Sequence, residues 1–103
     1  MSEYMKAEVR TSPRFLRQCS MQYMTMGDCL RRPNVAPVEG GIVDVSSGGM
    51  RIRTGQDGLE EGAILKVWLP IPEVEVTVAV LTEVRWVKEE APGNFYAGLR
   101  FIL

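Results

Sequence analysis

Apolar and polar residues alternate along several short segments of the chain, and turn-forming residues separate these segments. The clearest alternation runs from Val74 to Trp86, with valines mainly on one parity and polar residues mainly on the other. Shorter segments of the same kind span residues 19–25, 42–46, 50–54, 64–69 and 95–102. A period of two is typical of strands with one buried face. Because no segment shows convincing helical periodicity, the pattern predicts an all-β protein, a small six-stranded antiparallel β-barrel.

The stretches between these segments predict how the domain is organised. Residues 1–14 show no sustained periodicity, so we expect a flexible N-terminal arm followed by a barrel over residues 15–103. Residues 27–41 are rich in glycine and proline, which predicts a long loop. The strand at 74–86 is unusually long, and we expect it to bend and serve both walls of the barrel. Its Trp86, like Trp68 of the preceding strand, is predicted to pack within the barrel.

The composition narrows the class of protein. The chain has 103 residues, 46% hydrophobic and 24% charged, as in an ordinary soluble domain. It has no apolar run of about 18 residues and no signal-peptide core, so we expect a cytoplasmic protein without membrane insertion. Two cysteines, Cys19 on an apolar parity and Cys29 in the predicted loop, are too few for a disulfide scaffold. Histidine is absent, and the loss of this common base and metal ligand argues against an enzyme, a metal site or a cofactor.

Charge is distributed unevenly along the chain. Residues 1–32 carry six basic and three acidic side chains, whereas residues 54–103 carry four basic and eight acidic ones. Nine of the 12 basic residues are arginines, whose planar fork suits phosphates and guanine edges. The net charge of −1 argues against a broad DNA- or RNA-binding face but is compatible with a small anion site. Frequent arginine is also ordinary surface composition, and this alternative stays open.

The hairpin predicted over residues 42–54 has the most polar outer face. By parity, the residues predicted to face the core are Val43, Val45, Met50 and Ile52. Those predicted to face outward are Ile42, Asp44, Ser46, Arg51 and Arg53. The turn glycines Gly48 and Gly49 allow positive φ and close approach of a ligand. Asp44 and Ser46 can instead serve only to organise the hairpin through side-chain to backbone bonds, and the alternation alone favours that interpretation.

Two motifs in this chain resemble those of PilZ domains. Residues 44–49 (DVSSGG) fit the D/N-x-S-x-x-G motif of that family, and residues 10–14 (RTSPR) fit its R-x-x-x-R motif. Residues 84–87 (VRWV) and 98–101 (GLRF) are also similar to its last two strands. The motifs occur in the family's order on a six-strand pattern, and the resemblance covers roughly residues 9–102.

The resemblance implies a receptor for cyclic di-GMP, a bacterial second messenger, without catalysis. In that family the R-x-x-x-R arm folds over the bound ligand. On that basis Arg10 and Arg14 would contact phosphates and the edge of guanine, with Arg17 as a secondary candidate. An arginine fork suits the O6 and N7 acceptors of guanine.

The second motif would read the base. The resemblance implies that Asp44 accepts hydrogen bonds from guanine N1 and N2, which adenine does not offer in that arrangement. Ser46 would bond a polar atom of the ligand. Gly49, with Gly48 beside it, would keep the turn clear for the base.

The resemblance also implies how the signal would leave the protein. Ordering of the arm would create a surface for an unidentified downstream protein or for self-association as a homodimer, in control of motility, biofilm or exopolysaccharide. Three alternatives stay open. One is a degenerate barrel that acts only as a protein-interaction module. Another binds single-stranded nucleic acid through Phe15, flanked by Arg14 and Arg17. The third is an enzyme, although the sequence shows no nucleophile–base pair.

Overall fold

The chain folds into six strands that close into an antiparallel barrel, in the order β1-β2-β3-β6-β5-β4. The structure is a computed structural model that describes residues 15–31, 34–55 and 59–102. Its elements are β1 (Phe15–Thr25), α1 (Met26–Arg31), β2 (Val38–Val45), β3 (Gly49–Thr54), β4 (Ile64–Ile71), a 3₁₀ turn (Pro72–Val74), β5 (Val76–Ala91) and β6 (Asn94–Phe101). The predicted six-stranded barrel is confirmed. The predicted arm at residues 1–14 lies outside the described residues.

Every strand contributes to one core inside the barrel. The buried apolar residues of this core are Met21, Tyr23, Ile42, Met50, Ile52, Leu65, Val67, Val84, Ala97 and Leu99. The alternation in β3 explains the pattern, because Met50 and Ile52 are buried while Arg51 and Arg53 are exposed, as predicted. One polar pair lies among these residues. The Tyr23 hydroxyl and Thr54 Oγ1 are 2.9 Å apart, so the buried phenol has a hydrogen-bonding partner.

The prediction of one long loop over residues 27–41 is wrong at both ends. Met26–Arg31 forms the short helix α1, and β2 begins at Val38, where it pairs with Tyr23 of β1. The Asp28 backbone N–H donates to Thr25 Oγ1 at 3.1 Å, which is the N-cap bond that starts a helix. Threonine followed three residues later by an acid is a recognised capping pattern, and here it outweighs the adjacent glycine. Cys29 therefore lies on α1 and not in a loop.

Strand β5 is longer than predicted and does not keep one face buried along its length. Val84 is 1% exposed, but Val76 and Val78 are 48% and 43% exposed. The reason is that β5 extends beyond the closed part of the barrel. Its residues Val76–Leu81 pair with β4, whereas residues from Thr82 onward pair with β6. A register shift between Val84 and Trp86 bends the strand, in agreement with the expectation that it serves both walls.

Neither tryptophan packs in the core, so both predictions of barrel packing are wrong. Trp68 is half-buried on β4, and the Lys66 ammonium lies 5.3 Å from its ring centroid, within the range of a cation–π contact. Trp86 is 38% exposed, because the register shift that bends β5 turns it to the outer face. Cys19, on the apolar parity of its strand, is half-buried and packs against the core.

Candidate functional site

The β2–β3 hairpin contains a bulge that decides which residues face the site. Ile42 pairs with Ile52 and Asp44 pairs with Arg51, so Val43 is an extra residue between the two pairs. The predicted faces of Ile42 and Val43 are therefore wrong: Ile42 is a core residue, while Val43 is half-buried outside the core. Asp44 lies opposite Arg51 and thus on the outer side of the sheet, as predicted.

Asp44 is almost completely shielded although it belongs to this outer face. Only 1% of the residue is exposed. The Arg51 guanidinium donates to Asp44 Oδ2 from Nε at 2.9 Å and also from Nη2. This hydrogen bonding raises the pKa of Arg51 above its ordinary value. Partial desolvation lowers the pKa, and the negative charge of the carboxylate raises it further. Buried charges need such partners, and Arg51 supplies one that holds the carboxylate in position.

Ser46 organises the turn that follows. Its backbone N–H donates to the Gly49 carbonyl at 2.8 Å, which closes the turn. Its hydroxyl lies 3.4 Å from the same carbonyl and 3.4 Å from the Gly48 N–H, which donates to it. Serine is suited to such local bonds. Ser46 therefore organises the hairpin through side-chain to backbone bonds, and its role in ligand binding remains a prediction.

The two turn glycines are there for different reasons, and neither has the positive φ expected from the sequence. A Cβ at Gly49 would lie 1.9 Å from the Leu99 carbonyl oxygen, so β3 and β6 approach each other too closely for any side chain. A Cβ at Gly48 would meet no atom within 4 Å. Gly49 is thus required by strand packing, whereas Gly48 leaves open space above the turn.

A cavity of about 310 Å³ lies beside this turn, and we refer to it as the turn cavity. Its lining includes Ser46, Gly48, Arg51, Trp86 and Gly98. The Trp86 indole lies flat against Gly98, where a Cβ would come within 2.1 Å of the indole Nε1. Glycine is needed at that position to seat the ring. An exposed aromatic face can stack a planar base, and Arg51, which lines the same cavity, connects it to the buried Asp44 carboxylate.

The sequence favoured packing over stacking for Trp86 and did not place it in the lining of the turn cavity. The alternation placed it with the buried valines of β5, and only the bulge at Arg85 reverses its direction. The signal that could have indicated its position is Gly98, a glycine in the middle of a strand pattern, which often marks close approach of another group.

Not all predicted site residues are brought together by the described part of the chain. Asp44, Ser46, Gly48 and Gly49 lie on one hairpin, and the last three line the turn cavity. Arg10 and Arg14 lie outside the described residues. Arg17 belongs to β1, and its side chain is likewise outside the described part. Within the described residues, no three potential metal-ligating side chains come together, and no helix there is long and apolar enough to span a membrane.

The fold and the site define a class: a small closed barrel whose outer face carries a polar hairpin beside an exposed tryptophan. The family model of the PilZ domain matches residues 8–103. This match covers nearly the whole chain, and the chain therefore belongs to the PilZ domain family. PilZ domains are binding and adaptor domains, generally receptors for cyclic di-GMP. No curated protein matches the chain significantly.

Proposed function

We propose that this protein is a receptor for cyclic di-GMP and that it binds guanine at the turn cavity. The observation that carries the proposal is the buried Asp44 carboxylate, which the Arg51 guanidinium holds in position, while Arg51 and Trp86 both line the turn cavity. An ionised carboxylate is a hydrogen-bond acceptor, and Arg51 donates to Asp44 Oδ2 from two nitrogens. Guanine presents two adjacent donors, N1–H and N2–H₂, that match such an acceptor.

The remaining contacts follow from the same arrangement. Trp86 supplies a ring on which the base stacks, and Arg10 and Arg14 supply positive charge for the phosphates. Binding would order residues 1–14 as an arm over the ligand, with residues 15–103 as the barrel. The ordered arm would then present a new surface to a downstream protein. This mechanism needs no bond-breaking step, so the protein acts as an adaptor and not as an enzyme.

Isothermal titration calorimetry with cyclic di-GMP tests the proposal. Arg14→Ala and Asp44→Ala are each expected to weaken binding at least about tenfold, equivalent to about 1.4 kcal/mol. Asp28→Ala is the matched control for Asp44→Ala, because it makes the same charge change on α1, whose main contacts are with β1 and β4. It is expected to leave the Kd unchanged. Equal affinity in all the folded variants would contradict the site.

A second arm of the experiment tests base recognition. Cyclic di-AMP has the same phosphate ring but lacks the donors that Asp44 would accept, so it is expected to bind far more weakly than cyclic di-GMP. Equal binding of the two nucleotides would show that phosphates alone are recognised, and would contradict the role of Asp44.

A protein-interaction module is the second candidate function. The observation that favours it is the exposed apolar surface formed by Val74 of the 3₁₀ turn and by Val76 and Val78 of β5, which are 63%, 48% and 43% exposed. A folded protein that shows neither heat nor a thermal shift with cyclic di-GMP would favour this candidate, since a ligand that binds the native state raises its stability.

A further inference from the structure

A second cavity, of about 400 Å³, lies on the outer side of the barrel. We call it the Arg53 groove. It crosses four strands, and the residues that line it include Ser20 of β1, Gly41 and Val43 of β2, Arg53 of β3 and Tyr96 of β6. None of the motifs in the sequence covers these residues as a group. The proposed contacts of the turn cavity leave the groove without a role.

The Arg53 groove and the turn cavity are neighbours on one face of the sheet. Arg51 pairs with Asp44 on one side and with Gly98 on the other, and Gly98 lines the turn cavity. Two residues further along β3, Arg53 pairs with Gly41 and Tyr96, which line the groove. Two residues of a strand span about 7 Å. The Asp44–Arg51 ion pair therefore lies between the two cavities.

The groove has the chemistry to bind a nucleotide. Arg53 is exposed, and its guanidinium makes no hydrogen bond or ion pair with any residue that the structure describes. A Cβ at Gly41 would lie 3.6 Å from Arg53 Nη2, so the guanidinium extends over the smooth backbone of β2. Such a fork binds phosphate or the O6 and N7 edge of guanine. The half-buried ring of Tyr96, on the neighbouring strand, offers a stacking surface.

We propose that the Arg53 groove binds the second nucleotide half of the same cyclic di-GMP molecule whose first guanine occupies the turn cavity. This inference rests on the proposed function. Cyclic di-GMP has two identical halves, each with a guanine and a phosphate, joined in one ring. A ligand anchored at Asp44 thus projects its other half across the ion pair, where Arg53 and Tyr96 bind a phosphate and a base. Contact on both sides of Asp44 favours the cyclic dinucleotide over a single nucleotide.

Calorimetry on two groove variants tests this inference. Arg53→Gln is expected to weaken cyclic di-GMP binding about tenfold, and Tyr96→Leu about fivefold through lost stacking. Arg31→Gln, which makes the same charge change at an exposed position of α1, is the control and is expected to leave the Kd unchanged. GMP fills only one cavity, so the affinity ratio between cyclic di-GMP and GMP should also fall in Arg53→Gln.

A chemical measurement locates the ligand independently. Ser20 is exposed and lines the groove, so the thiol introduced by Ser20→Cys is expected to react several-fold more slowly with iodoacetamide when cyclic di-GMP is bound. Cys29 on α1 is the internal control, and its rate should not change. Binding that is lost in Asp44→Ala but unaffected in Arg53→Gln and Tyr96→Leu, with no protection at position 20, would overturn the inference and leave the proposed function standing. Absence of binding in the wild type would overturn both.

Discussion

The two halves of β5 lie in different surroundings although they belong to one strand. Among the described residues, residues 76–80 pair with β4 on one side and have no strand partner on the other. Residues 86–91 pair with β6 on one side and likewise have no strand partner on the other. The second half protects its open edge with charge, including an ion pair of 3.2 Å between Lys88 and Glu90. The first half carries no charge between Glu75 and Glu83.

This difference shows that alternation alone does not determine what a valine contributes. Val78 and Val84 have the same parity in the sequence, but Val78 lies in the extended β4–β5 hairpin and is 43% exposed, whereas Val84 is 1% exposed where β4, β5 and β6 overlap. Charged residues on an open edge discourage pairing with other chains. The uncharged first half lacks that protection and is the most apolar exposed surface of β5.

The largest loss of stability is expected at Gly49, where the closed part of the barrel leaves no room for a side chain. Gly49→Ala places a Cβ against the Leu99 carbonyl, and because the obstacle is backbone, β3 and β6 must separate. We expect a loss of about 3 kcal/mol in the free energy of unfolding, measured by urea denaturation. Gly48→Ala, one residue away in open space, is the control and should change it by less than about 0.5 kcal/mol. Equal stability of the two variants would contradict the close approach of the strands.

The two valines test the comparison within β5. Val84→Ala removes two buried methyl groups from the core and is expected to cost about 2 kcal/mol, from lost burial and the resulting cavity. Val78→Ala makes the same chemical change in the extended hairpin and should cost less than about 0.5 kcal/mol. Urea denaturation of both variants gives the two values. A loss at Val78 as large as that at Val84 would mean that the hairpin surface is covered in solution.

The positions of these variants also show which parts of the fold could be predicted from the sequence. Alternation identified the strands and the buried residues Met50 and Ile52, because a half-buried strand must repeat every two residues. It failed at the two bulges, which gave the wrong faces to Ile42 and Trp86. A bulge shifts the pairing by one residue without changing the hydrophobicity of its neighbours. The alternation of apolar and polar residues therefore does not reveal it.

The candidate site was predictable to a similar extent. The D-x-S-x-x-G pattern singled out Asp44 and Ser46 as candidates, because it lies within one turn of the chain. Arg51 and Trp86 reach the same face through strand pairing and a bulge, across 7 and 42 positions of the sequence from Asp44. Pairings of that kind are set by the fold and leave no local pattern. Arg53 was predicted to face outward, but its place in a groove with Tyr96 depends on the β3–β6 register.

The smallest change in stability is expected for the hydrogen-bonded pair of Tyr23 and Thr54 inside the closed part of the barrel. Burial raises the pKa of Tyr23, and the hydrogen bond with Thr54 partly opposes that rise. Above about pH 10, the ordinary tyrosine value, the unfolded chain releases this proton while the folded chain retains it. The contribution of Tyr23 to stability is therefore complete below pH 10 and is lost as the pH rises toward the higher pKa of the folded state.

Tyr23→Phe separates these two contributions. Loss of the hydrogen bond is expected to cost about 1 kcal/mol at pH 7, while the decline in stability above pH 10 becomes shallower than in the wild type. Urea denaturation of both proteins from pH 7 to 11 measures the difference. An equally steep decline in the variant would assign the alkaline loss to other groups. The Tyr23–Thr54 pair joins β1 to β3 inside the barrel. If the free energy of unfolding of Tyr23→Phe differed from that of the wild type only above pH 10, packing would hold the closed part of the barrel together more than this bond does.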